Sequence, residues 1–406
     1  MQVRLLIMTI VLTGSVFTTG FAADVLVTPS ADSPDVANAL QQVQQAQQTG
    51  NHARAIELLA PLHQAHPNQP DVPRLMAHSY LAQQQYDNAR AAAVDAIAHG
   101  RLTVDLLAIL MQVDRQRGDQ TAQLNDVALL TVLDVDNATW RQLYGQLLNS
   151  SGQPAAAEAV FRRLTETSPA DTRLWTQRAN ALLTLEQYSD AATAYETAWR
   201  LGDHSPMIAT VLAGLYQRLN DTQAALNWLD RAMTAQSPPD PKLRLQQAQW
   251  LYTIGEPDAA ATSAALVLTA GDKPLIARAH RLLGRLAMDQ KRIDEALDHW
   301  HKALDAGSTD RAMLLAMGKL HDSRNEFDLA HRCLSRYIDT GPADREALLL
   351  HARAAMHTDH SNNPARIAEA LQIYVERFGL DDDARTLLHT ALTLSRQSPA
   401  SPHTTN

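Results

Sequence analysis

Residues Ala138 to Asp171 read ATWRQLYGQLLNSSGQPAAAEAVFRRLTETSPAD, and the next stretch, Thr172 to Ser205, reads TRLWTQRANALLTLEQYSDAATAYETAWRLGDHS. Laid one over the other, the two 34-residue segments pair Gly145 with Ala179 at position 8 and Ala157 with Ala191 at position 20. They also pair Phe161 with Tyr195 at position 24. Two small residues at a fixed spacing mark a place where two backbones pack closely.

The frame extends in both directions. Frames begin at Val36, Pro70, Val104, Ala138, Thr172 and Pro206 without a gap, then at Pro241, Ala277, Arg311 and Arg345. Position 20 holds Ala55, Ala89, Ala157, Ala191, Ala225, Ala260, Ala296 and Ala330, and position 8 holds Ala77, Gly145, Ala179, Ala213, Ala248, Gly284 and Gly318. Between them lies a turn signal, Gly50, Gly118, Gly152 or Gly255, or Asn220 with Asp221. Each frame therefore reads as helix, turn, helix. Large residues at position 24 (Phe161, Tyr195, Trp300, Leu334) and alanines at position 27 (Ala96, Ala198, Ala232, Ala303) continue the apolar stripe of the second helix. Glycines such as Gly100, Gly202, Gly271, Gly307 and Gly341, or prolines such as Pro67, Pro169 and Pro342, end the frame.

This pattern resembles that of tetratricopeptide-repeat proteins over roughly residues 36–379. The resemblance implies an all-α solenoid, a right-handed superhelix of about ten helix pairs, in which the small residue at position 8 packs against the one at position 20. It also implies a concave inner face lined by first-helix positions 2, 5 and 9, where extended peptides are held.

Two departures stand out. The Val104 frame carries Met111 at position 8 and Gln123 at position 20, which predicts a looser helix pair. In the last frame Ala352 and Ala370 are eighteen residues apart, which implies a six-residue insertion near 357–364. Residues 380–396 then read as a capping helix with Leu387, Leu388, Ala391 and Leu394 on its apolar stripe, as the open end of a solenoid requires.

The ends read differently. Arg4, the apolar run from Leu5 to Phe17 and the small residues Gly20 and Ala22 predict a signal peptide over 1–22, cleaved after Ala22. Residues 23–35 and 397–406 read as disordered. The mature chain is then expected in the periplasm or outside the cell, with no stable membrane insertion. A net charge of −9 argues against general nucleic-acid binding. The one cysteine, Cys333, reads as a packing residue.

The chain has no hydrolase elbow, no His-Glu-x-x-His, no phosphate loop and no paired cysteines, so neither an enzyme nor a cofactor is implied. The densest metal-like cluster is His351, His357, Asp359 and His360, and it reads as solvated polar residues. His299 and His301 flank Trp300 and read as surface residues. The Asn137, Asn149 and Asn220 acceptor patterns read as turn chemistry.

What remains is a groove. Positions 2, 5 and 9 of the first five frames are mostly neutral, whereas the last three bring Arg278, Arg281, Arg285, Lys319 and Arg353 against the single acid Glu346. A wall of one sign would attract anions or acidic peptides. The resulting expectation is a non-enzymatic scaffold of the cell envelope that binds protein or peptide partners, with recognition of an anionic polymer such as an acidic exopolysaccharide as the alternative.

Overall fold

A residue in the left-handed backbone region follows the first helix in each of nine successive frames, at position 15. These are Gly50, Gln84, Gly118, Gly152, Glu186, Asn220, Gly255, Lys291 and Asn325, with φ between 59° and 81°. Glycine takes that conformation freely. Gln84, Glu186 and Lys291 give the same turn without the glycine that makes it visible in sequence.

The computed structural model describes residues 34–69, 71–235, 238–357 and 364–397. The stretches read from sequence as a signal peptide (1–22) and a linker (up to residue 33), residues 358–363 of the expected insertion and the tail from 398 lie outside the described residues. Among the described residues every regular element is a helix. The chain forms an α-solenoid of the tetratricopeptide type.

It divides into two compact units, residues 1–186 and 187–406. The first holds α1 (Pro34–Gln48), α2 (His52–Ala65), α3 (Asp71–Ala82), α4 (Tyr86–Ala98), α5 (Val104–Arg117), α6 (Gln120–Leu133), α7 (Ala138–Ser150), α8 (Pro154–Thr167) and α9 (Thr172–Thr184). The second holds α10 (Tyr188–Arg200), α11 (Pro206–Arg218), α12 (Thr222–Thr234), α13 (Pro241–Thr253), α14 (Pro257–Ala270), α15 (Lys273–Asp289), α16 (Ile293–Asp305), α17 (Arg311–Ser323), α18 (Phe327–Asp339), α19 (Arg345–His357), α20 (Pro364–Phe378) and α21 (Asp382–Gln397). Within each unit every helix packs on the next. The core accordingly runs as a series of local clusters, such as Ala77 to Trp140 in the first unit and Leu297 to Cys333 in the second. The longest helix, α15, starts four residues before its frame, because Asp272 caps it by accepting from Leu275 N and Pro274 follows in its first turn.

The close contact inside a pair brings in a third side chain. A Cβ added to Gly145 would come within 2.8 Å of the Phe161 ring, and one on Gly318 within 2.7 Å of Leu334. On Gly284 it would lie 2.3 Å from Trp300 Cδ1 and Nε1. Where position 8 is glycine, the nearest contact of that site is therefore the large side chain at position 24. The alanine at position 20 is fully buried, as at Ala157 and Ala296. Gly284 lets the Trp300 indole lie so close to α15 that its Nε1–H donates to the Arg281 carbonyl at 3.2 Å.

The Val104 frame holds an unusual pair instead. Gln123 is buried at position 20, and Asp114, 2% exposed, accepts from Arg90 at 3.3 Å. Asp126 lies close to Asp114. Burial, reinforced by the Asp114 carboxylate, pushes the Asp126 carboxyl up to about 7. The capping helix also turns out differently. Ala384 is buried and Leu387 and Ala391 pack on Ala352, Ala355, Ala370 and Leu371, but Leu388 faces solvent.

Two tests follow from this packing. Gly284→Ala should destabilise the protein by roughly 1–3 kcal/mol through overpacking against Trp300. Gly214→Ala, in mid-α11 where an added Cβ meets nothing within 4 Å, should instead stabilise it by about 0.5–1 kcal/mol of helix propensity. Chemical denaturation of both variants separates the two effects, and equal losses would contradict the position 8 to 24 contact. For Asp126, the folded carboxyl titrates higher than the 3.8 of an unperturbed aspartate, so stability falls as pH rises from about 4 through about 7. Asp126→Asn should therefore raise the melting temperature at pH 8 by about 2–4 °C, the effect of ~1 kcal/mol after allowing for partial exposure. Near pH 5 it should change little.

Candidate functional site

The five basic residues of the anticipated wall occupy α15 (Arg278, Arg281, Arg285), α17 (Lys319) and α19 (Arg353). Arg281 donates to Asp310 at 2.6 Å. Asp310 also caps α17 by accepting from Met313 N at 2.9 Å. Lys319 pairs with Glu346 at 2.7 Å. Arg353 grips the buried Asp322 with two guanidinium nitrogens. Arg285 lies over the Tyr252 ring at 5.4 Å. Arg278 is exposed. Four of the five charges thus already have partners within the chain.

This belongs to a wider pattern of links between adjacent repeats. Arg117 reaches back to Asp87 at 2.8 Å, Arg324 to Asp294 at 2.6 Å, and Arg218 donates to the Tyr188 hydroxyl at 2.7 Å. Arg74, in the first unit, holds Asp105 at 3.2 Å, and Asp105 sits well below the usual carboxylate range despite its burial, through His78, Thr103 and Arg74. Exposed bridges of this kind contribute about 0–1 kcal/mol each. Their larger effect is to fix the register of one repeat on the next.

The sequence suggested solvated histidines; His357 is exposed, but His299 and His301 are half-buried and His351 is buried. His280 and His299 face each other with their Nδ1 atoms 3.0 Å apart, and His301 lies 5.3 Å, ring to ring, from the buried His321. His351 is buried against His331, and Ser335 Oγ stands 2.9 Å from both rings. His357 lies against Phe327 at 4.9 Å, while Asp359 and His360 lie outside the described residues. Burial lowers the pKa of His280, His299 and His301, and it takes His351 down to about 4 with help from His331. Among the described residues, no group of three or more His, Cys, Asp or Glu is placed to hold a metal ion. Burial pushes the Cys333 thiol up to about 11, so it stays protonated in its packed position. Nor is any described helix long and apolar enough to cross a membrane.

A second feature lies away from first-helix positions 2, 5 and 9. A cavity of about 330 Å³ in the second unit is lined by Glu196, Trp199 and Arg200 of α10, Tyr216 of α11, and Asn227, Trp228 and Arg231 of α12. Trp199 and Trp228 meet edge to face, with centroids 5.2 Å apart at 85°. The Arg231 guanidinium lies 4.2 Å over the Trp228 ring. Tyr216 donates to Glu196 at 2.6 Å, and burial together with that carboxylate raises its hydroxyl to about 12. Sequence reading missed this group. Its signal was an arginine beside Trp199 and another three residues after Trp228, a spacing that stacks a guanidinium on an indole along one helix face.

Models of the tetratricopeptide repeat match residues 46–104, 138–181, 176–241 and 245–311. No curated relative matches the chain. Among solved structures, YrrB, described as a TPR protein with an unusual peptide-binding site, is similar at 22% identity and TM-score 0.39, over 45% of this chain and 92% of its own. PilF of Pseudomonas aeruginosa is similar at 16% identity and TM-score 0.39, over 55% and 98%. The complex of Naa15/Naa10 bound to HypK-THB contains a chain similar at 13% identity and TM-score 0.48, over 89% and 64%.

His351 makes the second unit sensitive to acid. Its folded pKa of about 4 lies below the ordinary 6.5, so below pH 6.5 the unfolded chain takes up a proton that the folded one refuses. Its stabilising contribution is complete above pH 6.5 and is lost as pH falls toward 4, by about 3 kcal/mol. Denaturation of His351→Gln across that window should show a shallower decline than the unaltered protein; parallel declines would place the acid sensitivity elsewhere.

Proposed function

Because the chain carries tetratricopeptide repeats, we propose that it is a non-enzymatic scaffold that holds partner proteins or peptides, exported to the periplasm or beyond by the segment 1–22. The observation that carries this reading is the set of repeat-to-repeat links. Arg281 to Asp310, Lys319 to Glu346 and Arg353 to Asp322 tie first helices to their neighbours and fix a row of side chains in advance. A pre-ordered row suits an extended partner segment, since little ordering entropy is left to lose on binding. The apolar N-terminal run and the net negative charge that argue for export and against nucleic acid are those of the sequence itself.

The alternative, an acidic polymer drawn to the C-terminal basic residues, requires Arg281, Lys319 and Arg353 to release carboxylates they already hold. Exchange of one anion for another yields little net attraction, so protein partners are favoured.

Affinity capture from native envelope fractions with the chain starting at Ala23 tests the proposal. Defined proteins should be recovered at near-stoichiometric yield, and the N-terminus of the natural protein should begin at Ala23. Recovery of polysaccharide alone, or a natural protein that retains residues 1–22 and stays in the cytoplasm, would overturn it.

A further inference from the structure

The cavity between α10, α11 and α12 is lined by more basic than acidic side chains. Two guanidinia, Arg200 and Arg231, line it against the single carboxylate of Glu196, so it carries net positive charge on a chain whose net charge is −9. Glu196 is already occupied by the Tyr216 hydroxyl. Arg200 donates to Thr197 Oγ1 at 3.1 Å, and Arg231 lies on an indole. Among the described residues neither arginine has a carboxylate partner, unlike Arg281, Arg324 or Arg353. A guanidinium stacked on a ring keeps its in-plane N–H donors free and held in a fixed orientation. That is the arrangement that grips a carboxylate through two parallel bonds.

The aromatic walls decide what accompanies the carboxylate. Sugar rings bind indoles face on. Here the Trp228 face is covered by Arg231, and Trp199 is met by Trp228 at its ring and by His204 at 4.8 Å. What remains is the half-exposed flank of Trp199, which suits a side chain better than a pyranose ring. A volume of about 330 Å³ is at the small end for ligand sites and takes one or two side chains.

We propose that this pocket binds a short acidic peptide segment of a partner, its carboxylate held by Arg231 and Arg200 and a neighbouring apolar or aromatic side chain packed against Trp199. This rests on the scaffold reading and locates one contact on the second-helix side, away from the first-helix row.

The test is fluorescence anisotropy of the mature protein with a fluorescein-labelled hexapeptide that alternates aspartate with phenylalanine. A matched peptide with asparagine for aspartate serves as the neutral probe. Saturable binding of the acidic probe is expected. It should weaken about tenfold or more for the neutral probe, for Arg231→Glu and for a rise in salt from about 0.05 to about 0.5 M. Arg231→Gln should lose binding to a smaller extent, and serves if the reversal disturbs Trp228. Circular dichroism and melting temperature of the variants should match the parent. Equal affinity for both probes, undiminished binding by both Arg231 variants, or tighter binding of an oligouronate than of the acidic peptide would overturn the proposal. Envelope partners captured undiminished by Arg231→Glu would overturn the pocket and leave the scaffold standing. Failure of the unaltered chain to capture any partner would overturn the scaffold, while the peptide titration still decides the pocket.

Discussion

The helix pairs depend on a missing atom. Where position 8 is glycine, the large side chain at position 24 lies on the backbone of the first helix, as Phe161 does on Gly145 and Trp300 on Gly284. Dispersion grows with such close contact, and a polar ring atom can also reach the helix carbonyls, as the Trp300 indole reaches Arg281. Where position 8 is alanine, position 24 varies: Ala77 stands with Ala93 and Ala248 with Ala264, but Ala179 stands with Tyr195 and Ala213 with Leu229, all eight buried. Position 20 stays small in nearly every frame because it is buried at the same crossing and has no comparable freedom.

That explains which parts of the architecture are legible in sequence. Small residues at fixed spacing report a steric limit, and a steric limit survives in a single sequence as a narrow choice of residue types. The period, the helix pairs and the left-handed turn at Gly50 or Asn220 could be read directly. The same turn at Gln84 or Lys291 could not, because there the tertiary contacts impose a conformation the residue does not advertise. The large neighbour of a position 8 glycine was missed for a related reason: the spacing shows that two sites are both small, not which third side chain lies against them. Leu388 was placed on the cap's buried stripe because periodicity alone fits i, i+3 and i+4 alike, whereas Ala384, Leu387 and Ala391 form the actual contact row. Histidines were read as surface residues because their pattern matches that of exposed polar residues. Only the three-dimensional placement of His351 beside His331 and Ser335 shows otherwise.

Each unit takes a titratable group into a helix crossing, and the two groups respond to pH in opposite senses. In the first, Asp126 beside Asp114 favours the protonated form, so alkali works against folding. In the second, His351 favours the neutral form, so acid does. Each sits where a helix crossing left room for a polar side chain: the Asp114 and Asp126 pair in the frame that lacks the usual small residues at positions 8 and 20, and His351 beside a hydroxyl that serves two rings. Polar groups at crossings cost stability on one side of neutrality and are tolerated because most of the remaining crossings are apolar.

Charge on a solenoid has two uses that compete for the same residues. An arginine that bridges to the next repeat stiffens the array, but its attraction for outside anions is largely cancelled by the carboxylate it holds. In the C-terminal frames the first-helix positions are mostly committed to stiffening, and a count of basic residues along the sequence overstates the field they project. Arg200 and Arg231 escape that commitment because the neighbouring carboxylate, Glu196, is taken by Tyr216 and because an indole, not an acid, supports Arg231. An aromatic ring orients a guanidinium without neutralising it. The surface that keeps its charge available is thus the one where aromatic residues, not aspartates, hold the arginines. Around Arg200 and Arg231 that surface is formed chiefly by second helices, with Tyr216 contributed by a first helix, and Arg285 over Tyr252 is a first-helix instance of the same support.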